Sequence, residues 1–148
     1  MNDPMLSYRG TVYPWHCDHM GHMNVMFYVG KFDEATWHLF AALGLTPEFL
    51  RQNNRGMAAV EQTIAYRKEL HAGDIVSVRS RVVEIKDKAL RFEHEMRKDD
   101  TGEVAATTIL TALHLDTSAR KACSFPGAVR ERAKAIHQVG HWPNQPSA

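Results

Sequence analysis

The stretch Trp15-His16-Cys17-Asp18-His19-Met20-Gly21-His22-Met23 gathers three histidines, a cysteine and an aspartate within nine positions. Asp18 is the residue whose placement suggests a reaction. It lies six residues before Asn24, a plausible helix N-cap by type. Unpaired amides at a helix start, together with the helix dipole, suit a developing oxyanion. A carboxylate beside such donors has the two parts that acyl transfer needs, a nucleophile or base and an oxyanion site. The plainer reading is that Asp18 closes a turn, as loop aspartates commonly do.

The rest of the stretch is weighed in the same way. His16, Cys17, His19 and His22 are all able to ligate a metal, but zinc ligands usually stand one helical turn apart or on paired knuckles. Neither pattern is present, and no metal site is expected. A thiol nucleophile at Cys17 lacks a defined His–acid partnership. Met20, Met23 and Met26 suit an adaptable pocket wall or plain core filling.

The elements that must position these residues can be read from periodicity. Leu6 to Tyr13 reads as a strand ending at Pro14. A helix is expected from the Asn24 cap to about Leu43, with Gly44 as its stop. Along it Tyr28, Phe32, Ala35, Leu39 and Ala42 recur at three- and four-residue spacing. Met26, Val29, Trp37 and Phe40 add a second apolar face and leave Lys31, Glu34 and His38 as the polar stripe. A helix this apolar must be largely enclosed.

Thr46-Pro47-Glu48 opens a short second helix. Four extended segments follow, roughly Met57–Leu70, Asp74–Ile85, Ala89–Lys98 and Glu103–Asp116, separated by breaks of hairpin composition. In the third, Leu90, Phe92, His94 and Met96 alternate with Arg91, Glu93, Glu95 and Arg97, as in a strand buried on one face. The fourth is apolar on both faces and reads as central. A short helix is expected within Phe125–Val139, then a loose tail over 140–148. The pattern implies one α+β domain over 1–148, with its core at about 6–116 and a C-terminal extension over 117–148.

The chain has 148 residues, 44% hydrophobic and 24% charged, with a formal net charge of +1. That composition fits a globular chain and excludes a disordered one. No Lys/Arg run makes a nucleic-acid footprint, and no apolar stretch approaches a membrane span. Two cysteines and the absence of a visible signal peptide favour a cytoplasmic location.

The loop just described, continued by Asn24, Tyr28, Phe32 and the Glu34-Ala35 pair, resembles the signature of the 4-hydroxybenzoyl-CoA thioesterase-like hotdog proteins. That signature has an Asp, then Gly-His-x-Asn, then a Tyr, a Phe and an acidic-Ala pair. A second block, Val60-Glu61 through Ile64 and Tyr66 to Gly73-Asp74, also matches. The resemblance covers about residues 7–116. It implies a long helix wrapped by a curved antiparallel sheet, with two subunits pairing into one larger sheet, active sites at the interface and dimers often forming tetramers. It implies an acyl-CoA thioesterase with no cofactor, coenzyme A being part of the substrate. Asp18 would attack the thioester carbonyl or activate water, and the Val25 amide would polarise that carbonyl. Asn24 and Tyr28 would shape the pocket, and His22 occupies the family's Gly-His position. His16, Cys17 and His19 depart from the family's usual residues, which leaves the acyl group open.

Two rivals remain on the same fold. A hydratase or dehydratase would use an Asp and a His in an Asn-Pro-x-His context that is missing here, and a non-catalytic acyl-CoA binding module would not need Asp18. Glu61 is either an outward-facing strand residue or a second carboxylate near the neighbouring subunit's Asp18. Tyr66-Arg67-Lys68, and comparably Arg79 and Arg81, could receive a CoA phosphate, though isolated strand cations are more often solvated.

Overall fold

A computed structural model describes residues 4–136. β1 (Met5–Thr11) passes through a 3-10 turn (Pro14–His16) and the histidine-rich loop into α1 (Val25–Ala42) and α2 (Pro47–Gln52). Then come β2 (Arg55–Tyr66), β3 (Ile75–Ile85), β4 (Ala89–Lys98), β5 (Val104–Asp116), the two-residue β6 (Lys121–Ala122) and α3 (Gly127–Ile136). The strands form one antiparallel sheet in the order β1-β3-β4-β5-β2, with β6 paired to β5. α1 packs on one face of that sheet, giving the expected α+β hotdog arrangement. As expected, β5 is internal; β1 and β2 are the edges.

Local chemistry sets the helix ends. Asn24 is extended (φ −71°, ψ 147°), and its side chain accepts the Met26 N–H. At the other end Gly44 has φ +91°, the left-handed conformation that releases the chain from a helix. Leu39, Phe40 and Leu43 of α1 meet Val82, Leu90, Phe92 and Leu110 in one core cluster. Nearer the helix start, Tyr28, Phe32 and Ala35 meet Val76, Val78, Met96 and Ala106 in a second.

A polar row divides the two clusters. Ser80, His94 and Thr108 are register partners on β3, β4 and β5, and all are buried. Ser80 Oγ lies 2.6 Å from Ser7 Oγ and 2.5 Å from His94 Nδ1. His94 Nε2 lies 2.8 Å from Thr36 Oγ1, which donates to the Phe32 carbonyl. The alternation in β4 placed His94 inward correctly, but not this wiring.

The polar stripe of α1 is corrected at Lys31. Only 5% exposed, it stretches beneath β1, with Nζ donating to Tyr8 Oη at 3.1 Å and to the Thr11 carbonyl at 3.3 Å. Glu34 and His38 stay exposed. Along the second face Phe40 is buried, whereas Met26, Val29 and Trp37 are 63%, 40% and 42% exposed. The helix is therefore enclosed on the sheet side only. Glu95, expected outward, is also buried and is held by Arg97 Nε at 2.5 Å.

Boundaries shift modestly. β2 stops at Tyr66, not Leu70, because Arg67 and Lys68 both turn their amides to the Ala105 carbonyl and Leu70 drops into the core. The helix expected within Phe125–Val139 is present as α3, with Val129 and Ala133 buried. The end of that expectation and the tail over 140–148 lie outside the described residues. No helix among the described residues is long and apolar enough to cross a membrane.

Candidate active site

The histidine-rich loop is a tight hairpin laid against the start of α1. Cys17 and Met23 form a bridge, the Asp18 amide donates to the His22 carbonyl, and the Gly21 amide returns to the Asp18 carbonyl. Gly21 takes φ +87°, a conformation costly for any residue with a Cβ. The Met23 amide bonds the Leu70 carbonyl and the Asn24 amide bonds that of His16, so both ends of the hairpin are fixed.

Within this frame the two Asp18 oxygens have separate partners. Oδ1 accepts the Met20 N–H at 2.9 Å, an Asx turn of the plainer kind considered above. Oδ2 accepts from Asn24 Nδ2 at 2.8 Å. The Asn24 and Met20 hydrogen bonds, in that order, hold the carboxyl below the usual aspartate range, with smaller help from His22 and His19. Asp18 is thus an anion at neutral pH with lone pairs to spare.

Asn24 also decides which amides are free. Its Oδ1 takes the Met26 N–H at 3.0 Å and its carbonyl takes that of Phe27 at 2.9 Å. The Val25 N–H, first in the helix, has no acceptor among the described residues. It is therefore available to a carbonyl arriving at the positive end of α1.

Val25 borders an open hollow of about 230 Å3 with His22, Tyr28, Tyr66, Arg67 and Lys68. Asp18 does not line this hollow; it is tied to it through His22 and Asn24. His22 Nε2 faces Glu69 Oε1 at 3.8 Å. Tyr28 is buried, donates to the Lys68 carbonyl at 2.9 Å and meets the Tyr66 ring edge-on at 5.2 Å. Burial, then the nearby Glu69 carboxylate, pushes its hydroxyl up to about 12. Tyr28 is thus a wall, and its phenol is not an acid at neutral pH.

The structure brings together Asp18, His22, Asn24, Val25 and Tyr28. Glu61 stands apart on β2, registered against Thr111 and, one strand further, Arg91, on the face turned away from α1. Arg67 and Lys68 do border the hollow, although Lys68 also pairs with Glu103 at 3.2 Å. Arg81 is instead tied to Glu93 at 3.1 Å. His16 turns away from Asp18, its Nδ1 accepting the Tyr13 N–H and its ring packing on Phe27. Among the described residues no group of three or more His, Cys, Asp or Glu side chains is arranged to hold a metal.

Residues 12–133 match the thioesterase-like superfamily. The chain belongs to that superfamily. Its thioesterase relatives include the L-carnitine dehydrogenase/betainyl-CoA thioesterase of Agrobacterium fabrum, 32% identical over 112 residues. That match covers 76% of this chain but 23% of the relative, so the chain spans about a quarter of that protein's length. The betainyl-CoA thioesterase of Pseudomonas aeruginosa is 25% identical, covering 94% of this chain and 87% of its own. Among solved folds, a Staphylococcus aureus protein in complex with CoA superposes with a TM-score of 0.86 at 20% identity, over 96% of this chain and 92% of that one. Both the Agrobacterium fabrum and the Pseudomonas aeruginosa relatives are named as CoA thioesterases.

Proposed function

We propose that this thioesterase hydrolyses its acyl-CoA substrate with Asp18 as the catalytic carboxylate and the Val25 amide as the oxyanion donor. The observation that carries this reading is the Asn24 side chain, which holds the Asp18 carboxylate and lowers its proton affinity while leaving Val25 unpaired. In the reaction the thioester carbonyl oxygen rests on the Val25 N–H. Asp18 attacks the carbonyl carbon directly or takes a proton from the attacking water. A C–O bond forms, the C–S bond breaks, and the CoA thiolate leaves and is protonated by solvent. Where Asp18 itself attacks, that bond makes a mixed anhydride, which water then hydrolyses to release the acid and restore the carboxylate. Carboxylate, amide and water suffice, so no cofactor enters. His22 and Tyr28 line the entry, and Arg67 and Lys68 supply positive charge for the CoA phosphates.

Two relatives are named for betainyl-CoA and a third, from Escherichia coli, for long-chain acyl-CoA. An acyl-CoA of related kind is the substrate class proposed here.

The working form is a homo-oligomer in the cytoplasm. β2 is an edge strand with exposed backbone, and Val60, in its bulge, is 57% exposed. Pairing two β2 edges would cover Val60, give one continuous sheet and bring Glu61 to the seam. Two such dimers would form a tetramer.

A panel of acyl-CoAs read by thiol release tests the reaction. Release on any member supports hydrolysis. Loss of the enoyl-CoA absorbance without thiol would support a hydratase, and binding without either change a binding module.

A further inference from the structure

The face of α1 that carries Val25 continues past the reaction centre. Val29 follows one turn later, then Phe32 and Asp33, Thr36 and Trp37, and Phe40, the spacing that keeps side chains on one side of a helix. These six line a second hollow of about 140 Å3, closed from the other side by Met57, Ala59 and Gln62 of β2 and by Phe92 and Leu110. The first hollow is likewise bounded by α1 and by Tyr66 at the end of β2. Both hollows lie between α1 and the edge strand β2, the first at the helix start and the second further along. An acyl group whose carbonyl sits on the Val25 amide would extend from the first toward the second.

The chemistry of the second hollow is specific. Four rings border it, Phe32, Phe40 and Phe92 as buried walls and Trp37 half-exposed at its mouth. Trp37 meets Phe40 edge-on at 5.6 Å, and Phe40 meets Phe92 likewise at 5.6 Å. Its polar groups are mostly engaged, Thr36 with His94 and the Phe32 carbonyl, Gln62 with Thr108. Asp33 is the exception. Among the described residues its carboxylate has no hydrogen bond and no ion pair.

An unpaired aspartate on an exposed helix face is ordinarily just solvated. This one rims an aromatic trough about 12 Å along the axis from Val25, by the rise of a helix, and helical side chains tilt toward the N-terminus, so it leans back toward the reaction centre. Aromatic faces with one carboxylate attract a cation that carries its own apolar surface, which describes a quaternary ammonium. A neutral chain would gain nothing from Asp33, and an acyl group ending in a carboxylate would be repelled by it.

We infer that the Asp33–Trp37 hollow is the acyl-group site and that it selects a short acyl chain ending in a quaternary ammonium. This rests on the thioesterase reading above and deepens it by assigning the charge of the acyl group and the residue that reads it.

The test compares trimethylammonioacyl-CoAs of two chain lengths with their neutral tert-butyl isosteres, beside the general acyl-CoA panel. For the wild-type protein kcat/KM is expected to favour the cation by about tenfold or more at one of the lengths. In Asp33→Asn that ratio should collapse toward one, whereas Asp100→Asn, in an exposed turn, should keep it. Equal or better turnover of the neutral isosteres at both lengths would overturn the inference, as would a cation preference that survives in Asp33→Asn. So would hydrolysis of other acyl-CoAs with none of this series, and in each of these cases the thioesterase reading would stand. Failure to release thiol from any thioester would remove the thioesterase reading, and this inference with it.

Discussion

One amide joins Asp18 to the start of α1: Asn24 Nδ2 donates to Asp18 Oδ2 at 2.8 Å while Asn24 Oδ1 caps the Met26 amide at 3.0 Å. The same side chain thereby fixes the carboxylate, lowers its proton affinity and leaves the neighbouring Val25 amide free. Asn24→Ala should uncouple these roles. Losing the cap should cost about 1 kcal/mol of stability. Losing the donor should raise the Asp18 pKa. Activity needs the carboxylate ionised and falls as pH drops through that pKa, so the acid limb of kcat/KM should move to higher pH. The pH profile checks the direction; an unmoved limb would mean that Asn24 does not set the ionisation of Asp18.

Tyr28 touches the site without taking part in the chemistry assigned to it. Its hydroxyl is committed to the Lys68 carbonyl. Tyr28→Phe should therefore lower stability by about 1 kcal/mol, the usual worth of such a bond, with kcat changed less than about threefold. Denaturant unfolding and steady-state kinetics on the same preparation check this. A large fall in kcat at unchanged stability would make the phenol a catalytic group.

The buried row around His94 makes acid a specific threat to the fold. Five contacts (Ser7 with the Val78 carbonyl, Ser7 with Ser80, Ser80 with His94, His94 with Thr36, and Thr36 with the Phe32 carbonyl) share three hydroxyl protons and one ring proton when His94 is neutral. Four protons cannot fill five contacts. An imidazolium would fill them all, but burial opposes it and lowers the His94 pKa from 6.5 to about 3. Unfolded chains therefore take up a proton in that window that folded chains refuse. Stability from this group is fully present above about pH 6.5 and is lost toward pH 3, by up to roughly 1.4 kcal/mol per pH unit. His94→Gln should flatten the pH dependence of unfolding between pH 6 and 4 by up to one proton. An equal slope in wild type and variant would show that His94 is already protonated in the fold.

The edge at β2 gives a test of assembly. Val60→Lys places a charge where a second β2 would pair. Sedimentation should then show a lighter species. An unchanged mass would exclude pairing along this edge.

Much of this was legible in residue order because local physics decides it. Asn24 and Gly44 bound α1 through cap and left-handed turn chemistry, and the two-residue alternation in β4 separates core from surface. The Asp18 loop stood out for the same reason, a carboxylate delivered to a helix start. What escaped depends on contacts distant in sequence. Lys31 looks solvated by helical period, yet β1 offers it Tyr8 and the Thr11 carbonyl. Glu95 looks outward until Arg97 folds over it. Asp33 is an ordinary helix-surface residue until β2 closes a trough beside it, and only its one-turn spacing from Val29 and Trp37 hinted at a shared face.

The most direct test of the account is the turnover of Asp18→Asn on the best acyl-CoA of the panel, read by thiol release. Circular dichroism and sedimentation on the same sample establish that the fold and assembly are intact. Asn keeps the size of the side chain and removes the charge, so kcat should fall on the order of a thousandfold. A variant that keeps wild-type kcat would contradict the assignment of Asp18 as the catalytic carboxylate.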